Sequence, residues 1–376
     1  YGEHAKSVDE FMWDHKDMLI LFAAGNEGDT EGNESISRPS TAKNCLTVGA
    51  TENNRSSMGS YSDDIDEIAF FSSRGPTNDT RIKPDVVAPG TYILSTKANI
   101  TSAEDDYTYM SGTSMATPHV AGTAALVRQY YMDNLSVTPS ASLIKTTLIN
   151  GAYDITPVRY GDLQTQPNYV QGWGRIDVEK SIKSIQKGNI YYSDDVKLNT
   201  SEFAETKIYV NNSSNPLKVT IGWTDYPGEV YSSKALINDL DLIVTGPNGT
   251  DYHGNSELVE NGHDHTNNIE EIDIKNPDTG VYTVQVDGYN VPENPQPFSM
   301  VISGSIENGD IYSIEISPQN QTIYDNKTIS FDADCYNKNG NNINETVYWS
   351  SNNTTVGSIN STGYFTANVS GTANIT

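Results

Sequence analysis

A serine hydroxyl becomes a useful nucleophile when the chain exposes it, a base takes its proton and donors receive the negative charge that follows. The stretch Gly112-Thr113-Ser114-Met115-Ala116-Thr117-Pro118-His119-Val120-Ala121-Gly122 is suited to the first and last of these tasks. Gly112 accepts backbone angles closed to other residues, so the chain can bend just ahead of Ser114. Pro118 is tolerated in a first helical turn, where its missing N–H is not needed. A helix start offers free N–H groups and positive dipole potential, both favourable to an oxyanion on an acylated Ser114. Asn26, in Gly25-Asn26-Glu27-Gly28, is the second chemical residue. An amide at a strand end can donate to a tetrahedral intermediate without the disturbance a charge would bring. Gly-Asn is also an ordinary turn signal.

These residues need elements to hold them. Val120, Ala124, Val127 and Tyr131 recur at helical spacing among small residues, which predicts a close-packed helix buried for most of its length. Residues 18–24 are a continuous apolar run, as expected of a parallel strand covered on both faces, and the run ends at Gly25. Loops at the carboxyl ends of such strands are where open α/β sheets place ligands. Ser7 and Glu10 form a capping-box pair ahead of Val8, Phe11, Met12 and His15, so a short helix is expected there, with His4 and His15 in solvated or packing roles. Residues 46–50 read as a strand and residues 142–148 as a helix. The stretches 69–76 and 83–90 read as strands closed by Pro/Gly turns. Strand–helix alternation implies an α/β fold with a doubly wound, mostly parallel sheet.

From about residue 191 the period changes to two. Leu217, Val219, Ile221 and Trp223 alternate with Lys218, Thr220, Gly222 and Thr224. Further strands are expected at 240–244, 281–286 and 298–303, with turns at Pro247-Asn248-Gly249 and Pro277-Asp278-Thr279-Gly280. This predicts an antiparallel β-sandwich over residues 191–306, after an α/β part over 1–190. Short strands with Asn/Gly turns over 307–376 predict a second, partial sandwich.

The motif around Ser114 resembles the nucleophile segment of the subtilisin-like serine proteases (subtilases, peptidase S8). Ala23-Ala24-Gly25-Asn26 resembles their oxyanion-hole segment, and Gly49 falls where their first specificity pocket is walled. Residues 69–76, 83–90 and 171–176 resemble further subtilase segments. Leu236-Ile237-Asn238-Asp239-Leu240-Asp241-Leu242 and Tyr289-Asn290-Val291-Pro292 resemble the jelly-roll domain of KP-43-like alkaline subtilases. Ile314-Glu315-Ile316-Ser317-Pro318 and the stretches 347–351 and 370–376 resemble bacterial Ig-like domains, which serve as spacers or adhesive units.

The resemblance implies a serine endopeptidase. Ser114 is then the nucleophile, and Asn26 with the Ser114 N–H holds the oxyanion. Ala23, Ala24, Gly25 and Gly49 line the substrate site, with an extended protein or peptide substrate pairing beside the Ala23-Ala24-Gly25 edge. In subtilases the triad runs Asp, His, Ser along the chain. No Asp-[Ser/Thr]-Gly or His-Gly-[Thr/Ser] precedes Asn26, so the first two members are expected upstream of this sequence. His119 lies five residues along the same helix and would point away from Ser114, so it is expected to pack. The competing reading is a catalytically inactive surface scaffold or adhesion protein with a degenerate protease fold. A scaffold has no physical need for a complete serine motif or for Asn26.

Asp225, Asn238, Asp239, Asp241, Asp264, Asn267 and Asn268 supply hard oxygen donors at strand ends and in loops. Calcium takes six to eight oxygens, though Asp and Asn also stabilise turns without any ion. The resemblance makes structural calcium the expected cofactor, with Asp225, Asp239, Asp241 and Asp264 as its ligands. His263-Asp264-His265 suggests zinc, but no third ligand lies at usable spacing along the sequence.

A formal charge of −26 with only 23 Lys and Arg argues against nucleic acid and anionic membranes as partners. No apolar run reaches the roughly 18–20 residues needed to cross a bilayer. A secreted or cell-surface location, with attachment through the C-terminal modules, follows from the resemblance. Sequons at Asn78, Asn99, Asn134, Asn248, Asn326 and Asn353 suit an exported glycoprotein and also arise by chance in an Asn-rich chain. Cys45 and Cys335 fall in different expected domains and read as separate thiols.

Overall fold

The computed structural model describes residues 1–98, 106–155, 166–186, 190–256, 262–308, 313–336, 342–343, 347 and 349–375. A three-stranded parallel sheet carries the first part, in the order β1 (Leu21–Ala23), β2 (Leu46–Thr51), β3 (Val86–Pro89). Every residue of β2 is buried, as a central strand covered on both faces must be. β1 is shorter than the apolar run predicts and only half-buried, because it is an edge of this sheet.

Against the sheet lies α2 (Thr113–Leu135), which buries Ala116, Val120, Ala124, Val127 and Tyr131. The apolar stripe is where the spacing puts it. The expectation of burial for most of the helix is not met, since Ser114, Pro118, His119, Gly122, Ala125 and Leu126 are exposed on the other face. α1 (Glu3–Asp14) starts four residues before the capping box, and Ser7 and Glu10 fall inside it. A tertiary contact anchors it instead: the buried Asp9 carboxylate accepts from the Tyr1 hydroxyl (2.8 Å) and from the N–H groups of Lys43 and Asn44 (3.2 and 2.9 Å).

The stretch 69–76 is not a strand. Only Ile68 bridges to Thr51, and the following backbone is spent on loops: Gly28 N–H donates to Phe71 O and Ser73 N–H to Gly25 O, at 2.9 and 3.0 Å. An antiparallel pair, β4 (Ile93–Lys97) with β5 (Asp106–Met110), precedes the serine helix. α3 (Ala141–Asn150) is capped by Ser140, whose Oγ accepts from Leu143 N–H, and α4 (Val178–Gln186) follows.

The sandwich consists of two antiparallel layers. One has the order β11 (Ile269–Ile274), β8 (Leu217–Gly222), β13 (Gln296–Ser303), β6 (Ile190–Leu198). The other contains β10 (Asp251–His253), β9 (Asp239–Thr245) and β12 (Gly280–Asn290), and two further strands are β7 (Phe203–Val210) and β14 (Ile306–Asn308). α3 packs on β8 and β13, which explains why β8 is buried on both faces despite its alternating sequence. The α/β part and the sandwich are consequently one compact unit, Tyr1–Glu205 with Val210–Ile306, and residue 190 marks a change of layer inside it.

Their joint is polar and buried. Lys43 Nζ pairs with Asp225 and also donates to the carbonyls of Tyr226 (2.6 Å) and Ala235 (2.7 Å). Asn44 and Asp225 exchange two hydrogen bonds, and Ile82 N–H donates to Asn267 Oδ1 at 2.8 Å.

A second unit, Glu307–Thr376 with Thr206–Tyr209, has two three-stranded sheets. One is β15 (Ser313–Ser317), β17 (Asp332–Tyr336), β18 (Asn342–Ile343). The other is β16 (Thr328–Ser330), β20 (Tyr364–Ala367), β19 (Gly357–Ile359). The stretches 347–351 and 370–376 are joined by a bridge from Ser351 to Ile375, with Tyr348 and Thr376 outside the described residues. Cys45 and Cys335 are both buried.

Candidate active site and acidic cluster

Ser114 sits in the first turn of α2, exposed to solvent. Gly112 precedes the helix at φ +154°, and a Cβ there would stand 3.5 Å from the Asn26 amide nitrogen. The site therefore begins with a close approach between two loops that are far apart in sequence. Thr113 N–H donates to Asn26 Oδ1 at 2.9 Å, and Thr113 Oγ1 donates to the same oxygen at 3.1 Å. A backbone N–H can only donate, so these contacts fix which end of the amide is oxygen. Nδ2 is left with no acceptor among the described residues, and the Ser114 N–H is likewise free. Two unspent donors, Asn26 Nδ2 beside Gly112 and the N–H of Ser114 itself, are thus left near an exposed serine, and such donors can stabilise a tetrahedral oxyanion.

The loop bearing Asn26 is held from below. Gly25 has φ +120°, and a Cβ on it would come within 2.5 Å of Glu27 Oε2 and 2.6 Å of Ser73 Oγ. Glu27 Oε2 accepts from Asn26 N–H (2.7 Å) and from Ser73 Oγ (3.1 Å), while Ser73 Oγ accepts from Glu27 N–H (3.1 Å). Glu27 and Ser73 are positioning residues that sequence reasoning missed. Their only signal was the Ser72-Ser73 pair inside a stretch read as a strand and turn.

The expected substrate edge is corrected. Ala24 N–H donates to Val48 O, and Ala24 O accepts from Ser37 N–H (2.9 and 2.8 Å). Gly25 N–H donates to Thr113 Oγ1 (3.2 Å), Gly25 O accepts from Ser73 N–H (3.0 Å), and Ala23 O accepts from Ser40 Oγ (2.6 Å). Backbone groups spent internally cannot pair with an added strand. Ala23, Ala24 and Gly25 form a rigid support for Asn26 instead. Gly49 is buried in β2, and a Cβ there would lie 3.0 Å from both Ser72 Oγ and Val87 Cγ1, so it serves close packing. His119 is also corrected: it is exposed rather than packed, with Nδ1 3.1 Å from Pro89 O. No histidine hydrogen-bonds Ser114 among the described residues.

The four expected calcium ligands separate. Asp225 belongs to the joint with Lys43, and its oxygens also accept from Ile237 and Asn238 N–H (3.0 and 2.8 Å). Asp264 is saturated: Oδ1 accepts from Thr266 and Asn267 N–H (2.9 and 3.2 Å), and Oδ2 from the Asn255 and Asn267 amides (both 2.7 Å). Asp239 and Asp241 converge with His265, their ligand atoms lying within 4.8 Å of one another. Burial and then the Asp239 charge push the Asp241 carboxyl up to about 7. Burial raises Asp239 too, and burial followed by the charge of Asp264 holds Glu270 well above the ordinary range. The His253 imidazole is pushed down, by burial and then by its neighbour His263.

Residues 1–174 match the model of the Subtilase family, and residues 310–376 that of the bacterial Ig-like domain (group 2). The chain is 30% identical to the serine protease/ABC transporter B family protein tagA of Dictyostelium discoideum, over 81% of this chain and 23% of that protein. It is 35% identical to the serine protease AprX of Bacillus subtilis (strain 168), over 44% of this chain and 35% of that one. It thus spans well under half the length of these curated relatives. Among solved structures, the prenylagaramide maturation protease PagA matches at 25% identity and TM-score 0.37, over 47% of this chain and 53% of that chain. Residues 1–174 are therefore a segment of the subtilase family, and residues 310–376 a bacterial Ig-like domain.

Proposed function

We propose that this chain carries the nucleophile and oxyanion hole of a serine endopeptidase acting on protein or peptide substrates. The observation that carries this reading is the pinned Asn26 amide, which leaves Nδ2 and the Ser114 N–H unspent beside an exposed Ser114. Ser114 Oγ attacks the scissile carbonyl, and the developing oxyanion takes up those two donors. Collapse of the intermediate expels the amine and leaves an acyl-enzyme, which water then hydrolyses. The general base is assigned to a His and the carboxylate that orients it to an Asp, both upstream of Tyr1, in the chain order of the family. The enzyme is secreted or held at the cell surface, with the Ig-like domain as spacer or attachment module.

Fluorophosphonate labelling of the native full-length protein, with the modified peptide identified by mass spectrometry, tests the proposal. A label on Ser114 that disappears in Ser114→Ala is expected. A folded protein, freed of any propeptide, that takes no label would overturn it and favour the inactive surface scaffold.

A further inference from the structure

We infer that Asp239, Asp241 and His265, joined by His263 from the Asp241 side, bind a divalent transition-metal ion of the zinc class, and that calcium does not fit this site. β9 puts Asp239 and Asp241 two residues apart on one face of the strand, and the turn at 263–265 brings two imidazoles against them. His265 Nδ1 lies 3.3 and 3.4 Å from the two Asp239 oxygens and 3.5 Å from Asp241 Oδ1. His263 Nδ1 lies 3.6 Å from Asp241 Oδ2. A ring N–H acting as a plain donor would settle on one oxygen. A nitrogen nearly equidistant from three is placed as a neighbouring ligand would be, because a tetrahedral ion with bonds of about 2.0–2.1 Å holds its ligand atoms roughly 3.3 Å apart. Stacking on Tyr289, with centroids 4.2 Å apart, fixes the plane of the His265 ring.

Independent of that grouping, the site has polar atoms with nothing to bond. Among the described residues, Asp241 Oδ1, His263 Nδ1 and Glu270 Oε1 are buried without a hydrogen-bond partner, and the Asp241 side chain is only 7% exposed. Asp287 stands directly opposite Asp241 across the β12–β9 pair, where like charges repel. Lys234, at 3.1 Å from Asp239 Oδ2, is the neighbouring ammonium, and at 48% exposed it can swing away. Several carboxylates against one mobile ammonium call for a further cation.

The donor set identifies which. Calcium requires six to eight oxygens. Here Asp225 and Asp264 are spent on protein donors, as are Asn238 Oδ1, on Glu293 N–H, and Asn267 Oδ1, on Ile82 N–H. What remains is the two carboxylates and two imidazoles, with Glu270 Oε1 also unbonded beside them, and a set that includes nitrogen ligands suits zinc and its neighbours. Sequence spacing hid the site because its carboxylates come from a strand more than twenty residues before the histidines.

The test uses the full chain, stripped with chelator and titrated calorimetrically with zinc chloride and with calcium chloride. One zinc per chain is expected, undisturbed by millimolar calcium, and His265→Gln or His263→Gln should each weaken binding at least tenfold. Both rings are partly exposed, and unchanged circular dichroism would show that the variants fold. Lys234→Met should tighten binding severalfold by removing the competing ammonium. Cobalt(II) on the unaltered protein should give the intense visible absorption of a four-coordinate site. Calcium displacing zinc, zinc affinity indifferent to both histidine variants, or a weak six-coordinate cobalt spectrum would overturn the inference.

Discussion

Thr113 N–H donates to Asn26 Oδ1 at 2.9 Å, and this contact turns a flexible amide into a fixed donor. Losing the amide should therefore cost turnover more than binding. Asn26→Ala in the full-length enzyme is expected to lower kcat by about 10²–10³ with KM little changed, the magnitude found for the oxyanion donor of a subtilisin. Thr113→Val keeps the backbone donor but removes the hydroxyl that bonds Asn26 Oδ1 and Gly25 O. It should cost roughly tenfold in kcat, about 1.4 kcal/mol. Steady-state kinetics on a peptide substrate separates the two effects, and a change confined to KM would refute the positioning role.

The nucleophile was legible in the sequence because a bend, a serine and a helix stripe are local features. The supporting shell was not. Ser73 reaches Glu27 across 46 positions, and Lys43 reaches Asp225 across 182, so neither leaves a periodic trace. Asp225 illustrates the failure: its residue type suits an ion, but a buried lysine and two backbone N–H groups had already claimed it. The substrate edge failed for a related reason, since free backbone groups cannot be told from spent ones until Ser37, Ser40 and Ser73 are placed.

That Lys43–Asp225 pair is fully buried where the sandwich meets the α/β layer. Asp225→Ala strands an ammonium with only the Tyr226 and Ala235 carbonyls, and should destabilise the chain by about 3–5 kcal/mol. Replacing both partners, as Lys43→Met with Asp225→Leu, should cost much less than the sum of the single changes. Urea unfolding of the four proteins completes the cycle, and additive costs would show that the two residues act separately.

Acid should expose a second buried pair. Burial alone would raise the Asp79 carboxyl, but the Arg81 guanidinium, bonded to it at 2.8 and 3.0 Å, outweighs that and brings it down to about 2 from 3.8. At about 1.36 kcal/mol per pKa unit, the folded state gains roughly 2 kcal/mol from the ionised form. Because the folded value is depressed, this stability is fully present above about pH 4 and lost as pH falls towards 2. Asp79→Asn should unfold more easily than the parent at pH 7, with the gap closing near pH 2. A gap independent of pH would mean that the charge of Asp79 contributes nothing.

Gly25 offers the sharpest separation of local geometry from bulk stability. At φ +120° any L-residue is strained, and the new Cβ would run into Glu27 Oε2 and Ser73 Oγ, the two groups that brace the loop. Gly25→Ala is expected to cost about 1–3 kcal/mol of stability. It should also lower kcat by at least tenfold, because moving Glu27 releases the Asn26 N–H it holds at 2.7 Å. Gly32→Ala is the control: it also has positive φ, +71°, but a Cβ would meet nothing within 4 Å and no bond links it to Asn26. It should lose some stability and keep its turnover. Equal turnover in the two variants would show that the loop under Asn26 tolerates displacement, and the bracing by Glu27 and Ser73 would then have no catalytic consequence.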